Sequence, residues 1–441
     1  MNKKEVEKKS GFLGWYFNTS LVWRVLIALV LGCVVGTTVG PNIVVIEPFG
    51  TLMLKLLQLV ILPLIFFAIV VGVGGTPASK MGRIAWKIMT YYLLTTLCAA
   101  VFGLVLGHIF QPGLGANIVG TANVEITASE APSVGNILVN MVPNNAIGAF
   151  ASGNYLQVLI FGVLVGLAIS ILSDSQNERT RKTVQVFLDF CEGGSEIMYK
   201  ITKGVLEYTP VGIFALIAVL FATQGFEVIG SLGSLIVACY IGYIFQIFVV
   251  YGGILTSFKM NFRKFLMNIR SVMLMAFATR SSNSVLPLSI STCEERLGVS
   301  RTVAGFTLPL GAQVNMDGEA YYQILSVFFV ANAIGMKLTV SSQILMILAV
   351  TIGSIGTAGI AGAGPVVLMA VLGMVGLPAE PGSAAAAAFA LILGIDVILD
   401  MGRTTANVTG DVVGTAIVAK SENMMDYSKW DEYKKVRVEN A

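Results

Sequence analysis

The sequence predicts an all-α polytopic membrane protein, on three observations. Of 441 residues, 55% are apolar and 12% charged, with mean hydropathy +0.81; soluble domains average about 45–50% apolar and about 25% charged. The apolar residues come in blocks long enough for bilayer-crossing helices of about 20 residues. Basic residues cluster in alternate connections, as the positive-inside rule requires. So little charge excludes a soluble enzyme, a nucleic-acid binder and a disordered scaffold, and the net charge of +3 implies no polyanionic partner. Cys33, Cys98, Cys191, Cys239 and Cys293 lie far apart, odd in number and without metal-site spacing, which argues against a disulfide framework. The single His108 excludes a His-based metal site. A lone His near the outer end of the third block reads as an interfacial residue. The charged N-terminus, Lys3 to Lys9, and a first block without a small-residue cleavage site give no sign of a cleavable signal.

Taken in order, the crossing blocks are 21–39, 49–74, 88–110, 155–172, 197–222 and 229–257, with later blocks beginning near Ala304 and Ala385. Lys80, Arg83 and Lys87 follow the second block, Arg179, Arg181 and Lys182 the fourth, and Lys259, Arg263, Lys264 and Arg270 the sixth. The stretch 111–139 carries only Glu125 and Glu130. This alternation puts the N-terminus inside. Lys420, Lys429, Lys434 and Lys435 put the C-terminus inside too, so the number of crossings is even, and eight fits. Two further segments are apolar but interrupted: 271–290 by Arg280-Ser281-Ser282-Asn283-Ser284, and 342–376 by the Gly-rich run 356–364. Each reads either as a kinked span or as a re-entrant helical hairpin. Non-helical backbone survives at membrane depth only against protein or a water-filled cavity, and paired interruptions point to a transporter binding site.

The last block carries Asp396, Asp400, Arg403, Thr404, Asn407 and Asp411. At about 100° per residue all six fall within an arc of about 100°. Each charge at a helix centre costs about 2.5–3.5 kcal/mol on insertion scales. A structural ion-pair face would match Asp396 with Arg403 but leave Asp400 and Asp411 without partners, so a ligand or ion pathway is the better reading. In the seventh block, Asn315-Met316-Asp317-Gly318-Glu319 is a poor helix interior. Gly318 permits an unwound turn, which would free carbonyls for a hard cation beside the Asp317 carboxylate. In these late blocks Asp317, Glu319, Asp396, Asp400 and Asp411 face only Arg280 and Arg403, a surplus of three negative charges. Such a surplus demands protonation or bound cations.

The serine-rich interruption, the Asn-Met-Asp-Gly break, the Gly-Thr-Ala-Gly run and the Asp-Met-Gly-Arg-Thr helix together resemble the dicarboxylate/amino-acid:cation symporters, the glutamate transporter family. The likeness covers nearly the whole chain and is strongest from Arg280 to Glu422. It implies eight transmembrane helices plus two re-entrant hairpins, a homotrimer in the plasma membrane, and elevator-type alternating access. The scaffold would comprise about 20–75 and 139–225, and the mobile transport domain about 85–111 and 228–420, within a transporter unit of 20–420 flanked by cytoplasmic tails, 1–19 and 421–441. Arg403 matches the position that pairs with an acidic substrate side chain, for which a guanidinium fork is suited. Asp400 matches the position receiving the amino group, and Thr404 and Asn407 lie near main-chain polar groups. Ser281, Ser282 and Asn283 would form one hairpin tip and Ile360 to Gly364 the other, their N–H groups holding the α-carboxylate. For Na⁺, Asn315 and Asp411 match one site. Tyr92, Thr95, Thr96, Asn315 and Asp317 match a second, and carbonyls around Gln313, Ser354, Ile355 and Thr357 a third, with Met316 in the same break. Hydroxyls such as those of Tyr92, Thr95 and Thr96 otherwise serve their own backbone or join helices.

The resemblance thus implies Na⁺-coupled amino-acid symport, with two or three ions or with H⁺, and aspartate or glutamate as leading substrates. It implies no enzyme and no nucleic-acid partner. Glu319 departs from the pattern, because acidic-amino-acid carriers usually have threonine there. Three dispositions are open: a pair with Arg403, a protonated hydrogen-bond donor, or a side chain turned away. Pairing would admit neutral polar amino acids. C4-dicarboxylates remain open as substrates, although they offer Asp400 no amino group, and so does an anion-conducting activity.

Overall fold

The computed structural model describes residues 19, 21–75, 82–119, 139, 142–224, 229–353 and 362–429. These are helical apart from connections and one isolated bridge between Val299 and Met425. The helices are α1 (Leu21–Val39), α2 (Glu47–Gly74), α3 (Gly82–Phe110), α4 (Ala146–Ala151), α5 (Tyr155–Leu172), α6 (Glu178–Gln224), α7 (Ile229–Phe245), α8 (Gly252–Ser257), α9 (Phe262–Thr279), α10 (Ser282–Glu295), α11 (Arg301–Val314), α12 (Asp317–Ala333), α13 (Val340–Gly353), α14 (Gly364–Met374) and α15 (Ala384–Ser421). A 3₁₀ turn, Gly40–Ile46, joins α1 to α2, and a π-helical stretch, Gln246–Tyr251, joins α7 to α8.

Among the described residues five stretches are long and apolar enough to cross a membrane: Trp23–Gly74, Gly82–Phe110, Glu178–Ala222, Gly230–Ser257 and Ala384–Ser421. Large apolar side chains such as Trp23, Trp86, Leu94, Phe190 and Phe248 stand exposed on their outer faces. In water such faces would be a liability; against lipid they need no cover. The chain is a multi-pass helical membrane protein.

The α1 and α5 limits coincide with the expected spans, and α6 does not. It begins at Glu178, so Arg179, Arg181 and Lys182 lie in its first turns rather than in a loop. Asn177 starts it, its Oδ1 accepting from Arg179 N and Thr180 N, and Glu178 pairs with Lys182 one turn on.

Two packing groups result. In one, α1 and α2 pack on α6, and α2 on α5. Arg24 of α1, buried, meets Glu207 of α6 at 2.6 Å. In the other, α3, α7, α11 and α12 pack around α15, with the α9–α10 pair against α11 and α15. Nearly every residue of α12 and most of α15 are buried. Helix α14 touches both groups, through α2 and α12.

The interruption in the seventh block is short. Helix α11 ends at Val314, Asn315 and Met316 leave the helical region, and α12 restarts at Asp317. Gly318 therefore lies inside α12's first turn and makes no unwound turn of its own. Its role is close approach, because a Cβ there would strike the carbonyl oxygen of Arg403 on α15. In the serine-rich interruption only Arg280 and Ser281 are non-helical: Arg280 is left-handed (φ 55°), and Ser281 caps α10 by accepting from Ser284 N.

The segment that follows α15 is tied back. Ser300 N donates to Met424 O at 3.0 Å and Asp426 N to Gly298 O at 2.8 Å. Gly298 has φ +69°, and its α-carbon packs so close to the Asp426 carbonyl that no side chain fits. Glu422 pairs with Arg83 (2.6 Å) and Lys87 (2.5 Å) of α3.

Candidate functional site

The polar face of α15 is buried along its length and divides into two clusters. The first surrounds Arg403. Its Nε lies 3.1 Å from Glu319 Oε2, and its Nη2 lies 2.9 Å from Asp400 Oδ1 and 3.4 Å from Asp396 Oδ1. The Tyr322 ring lies under the guanidinium, 4.3 Å to the centroid. Glu319 Oε1 accepts from Gln323 Nε2 at 3.1 Å, so both of its oxygens face donors. The structure thus turns Glu319 toward Arg403, not away from the pocket. Asp400 also accepts from Thr404 Oγ1 (3.1 Å) and Gly362 N (3.3 Å), and lies 3.7 Å from Arg280 Nη1. The expectation that an ion-pair face would strand Asp400 is corrected: the packing of α9 on α15 brings Arg280, at the end of α9, to it, and Arg403, one turn along, reaches it as well.

The second cluster lies further along α15 and contains no basic side chain among the described residues. Asp317 Oδ1 accepts from Thr96 Oγ1 at 2.6 Å, and Oδ2 from Gln246 Nε2 and Tyr251 OH, each at 2.7 Å. Asn315 Nδ2 donates to Asp411 Oδ1 and to the Asn407 carbonyl, both at 3.0 Å. Asn315 Oδ1 is buried with no hydrogen-bond partner among the described residues. An orphaned amide oxygen beside two buried carboxylates is the oxygen-rich, negative surrounding that a hard cation takes.

The expected residues distribute unevenly over these clusters. Of the three expected hydroxyls on α3, Thr96 reaches Asp317, Tyr92 donates to Thr307 O (2.9 Å), and Thr95 bonds the carbonyls of Tyr91 and Tyr92 on its own helix. Asn407 links the clusters: its Oδ1 accepts from Gly318 N at 2.7 Å, and its Nδ2 lies 3.2 Å from Met316 Sδ. Gln313 Nε2 donates to Asn283 Oδ1 at 3.0 Å, joining the α11 end to the start of α10, where Ser281 and Ser282 are buried. Gly364, at the start of α14, packs against Arg403 Nη1 with no room for a side chain. Ser354, Ile355, Thr357 and Ile360 lie outside the described residues. His108 bonds Gln343 at 3.1 Å near the surface, away from both clusters.

Sequence reading missed Gln246, Tyr251, Gln323 and Tyr322. The i to i+5 bonding of a π-helix turns residues five apart toward one face, so the stretch that begins at Gln246 and ends at Tyr251 presents both to Asp317. A glutamine inside an apolar block was the available signal. Gln246 Oε1 in turn accepts from Tyr321 OH at 3.1 Å, which fixes the amide's orientation.

The pattern of the sodium:dicarboxylate symporter family matches residues 21–421. The chain is 32% identical over 424 residues to the proton/sodium-glutamate symport protein of Bacillus caldotenax, covering 94% of this chain and 97% of that one. It is 32% identical over 428 residues to the proton/glutamate-aspartate symporter of Escherichia coli (strain K12), covering 93% and 94%. A C4-dicarboxylate transport protein of Pseudomonas fluorescens (strain SBW25) is 32% identical over 417 residues, covering 93% and 91%.

Proposed function

The chain belongs to the sodium:dicarboxylate symporter family, and we propose on that premise that it is a Na⁺-coupled symporter of amino acids, working by elevator-type alternating access. One observation carries the coupling: Asp317 and Asp411 are buried with only hydroxyl and amide partners among the described residues. Two uncompensated carboxylates at that depth cost several kcal/mol each unless cations join them. Two Na⁺ ions satisfy this cluster, one between Asn315 Oδ1 and Asp411, one at Asp317. A third would sit on carbonyls near Gln313.

The substrate binds between Asp400 and the starts of α10 and α14. Its amino group pairs with Asp400, displacing the Gly362 N–H that now bonds there, and its α-carboxylate takes N–H groups at the Ser281–Asn283 and 360–364 tips. The names of the relatives state glutamate, aspartate and C4-dicarboxylates; Asp400 favours substrates with an amino group over plain dicarboxylates.

The wider architecture follows the same reading: eight transmembrane helices plus two re-entrant hairpins, α9–α10 and α13–α14, in a plasma-membrane homotrimer with cytoplasmic termini. Helices α1, α2, α5 and α6 are the scaffold. The group around α15 is the moving part, and the two packing groups support that division.

Purified protein in liposomes tests the coupling. An inward Na⁺ gradient should drive saturable accumulation of a labelled amino acid. Uptake unaffected by dissipating the Na⁺ gradient, but following a proton gradient, would replace Na⁺ by H⁺. Uptake indifferent to both would sink the reading.

A further inference from the structure

We propose that Glu319 is a built-in side-chain carboxylate that fills Arg403's capacity for acids, so that the pocket selects a zwitterionic amino acid with an uncharged polar side chain over aspartate and glutamate. This rests on the amino-acid reading of the pocket and names its substrate class.

Three carboxylates lie within 3.4 Å of Arg403: Glu319, Asp396 and Asp400. With Arg280 at Asp400, the cluster holds three negative and two positive groups. A substrate with a side-chain carboxylate would add a fourth anion to a surplus that already exists, inside a buried site where like charges repel strongly. A zwitterion adds no net charge. Its amino group goes to Asp400 and its α-carboxylate to backbone N–H groups, which leaves the balance at Arg403 untouched.

The free valence at Arg403 points the same way. Nε and Nη2 are committed, whereas Nη1 is buried, faces Gly364 and has no hydrogen-bond partner among the described residues. A buried donor wants an acceptor, and the acceptor that adds no charge is a hydroxyl or an amide carbonyl. A cationic side chain would instead place its charge against a guanidinium donor. Gln323 and Tyr322 hold Glu319 and Arg403 where they are, so the pair is a fixed part of the pocket wall.

The test uses purified full-length protein with saturating Na⁺, read by ligand-induced thermal shift and by competition in liposomes. The probes are L-serine, L-threonine, L-asparagine, L-aspartate, L-glutamate and succinate. At least one neutral probe should bind about tenfold or more tightly than aspartate, a difference of about 1.4 kcal/mol. In Glu319→Gln and Glu319→Thr the order should reverse, with aspartate gaining about tenfold or more. Wild-type preference for aspartate or glutamate overturns the inference but leaves amino-acid symport standing. Preference for succinate overturns both. Should neither variant fold, the wild-type order decides by itself.

Discussion

Two groups of buried carboxylates share α12 and α15, and they are neutralised in opposite ways. Around Arg403, three carboxylates meet two guanidinium groups that the chain itself supplies. Around Asn315, two carboxylates meet only hydroxyls and amides among the described residues. The surplus of three negative charges legible in the sequence is therefore divided, one at the first cluster and two at the second. The division assigns tasks. The end with its own cations is close to balanced, and on the proposed reading it sorts substrates by small differences in charge. On the same reading the end without them is an ion trap, and Asn407, which touches both Gly318 and Met316, ties it to the substrate end.

The largest effect should come from stripping the first cluster of its cation. Arg403→Leu leaves Glu319, Asp396 and Asp400 crowded together, and should destabilise the protein by about 3–5 kcal/mol, read as thermal unfolding in detergent. Adding Glu319→Leu should recover a large part of that loss. If the double variant is no better than the single one, Glu319 and Arg403 are not a pair and the contrast between the clusters fails.

Next in size is the second cluster. Asp317→Asn removes one charge from the trap and should weaken Na⁺ dependence about a hundredfold, worth about 2.7 kcal/mol, in uptake titrated against Na⁺. It should leave the order of amino-acid preference unchanged, because Arg403 and Glu319 are untouched. A change of preference without a change in Na⁺ dependence would reverse the two assignments.

Gln246→Leu takes one of three donors from Asp317 and strands the Tyr321 hydroxyl. Losing one buried bond costs about 1–3 kcal/mol, and a shift of about tenfold in Na⁺ half-saturation is expected. Gln246→Glu sharpens the point by adding a third carboxylate to the trap, which should make activity more dependent on cations, not less.

The smallest effect lies outside both clusters, at Glu422. Hydrogen bonds from Lys87 and Arg83 hold its carboxyl below the usual range. Its contribution is therefore present above about pH 4.3, where an unfolded glutamate is ionised, and is lost as pH falls through the depressed value. Glu422→Gln should mimic that loss at neutral pH. Amide exchange at Ser300 and Asp426 should quicken severalfold while substrate and Na⁺ responses stay as they are.

How much of this was legible depended on whether the local pattern was the regular one. Helices α1 and α5 are uniformly apolar, and their limits were read from hydropathy alone. The polar face of α15 emerged from the 3.6-residue repeat because α15 is a regular helix. Where geometry departs from the α period, the pattern misleads. Gln246 and Tyr251 stand about 140° apart on an α-helix at about 100° per residue, and only the π-helical stretch brings both to Asp317. The start of α6 was hidden for another reason: its first turns are charged, and hydropathy reads them as a loop. The charge surplus was countable, but its division was not. That needed the approach of α9, whose end places Arg280 beside Asp400, and Gly318, which lets α12 and α15 come close enough for Glu319 to reach Arg403.

The tie that follows α15 has a consequence in time. Residues 424–426 supply the backbone partners of Gly298 and Ser300 at the junction of α10 and α11. Those partners are made after α15, long after the junction they complete. At about 5–20 residues per second, some 6–25 s separate residue 300 from residue 424. Throughout that interval the junction's main-chain groups must be met by water or a chaperone, and α15 must already have been threaded into place for the tie to close. Synthesis of residues 424–426, and not insertion of α15, is then the step that finishes this face of the molecule. A chain cut just before residue 424 would hold α15 and lack this tie.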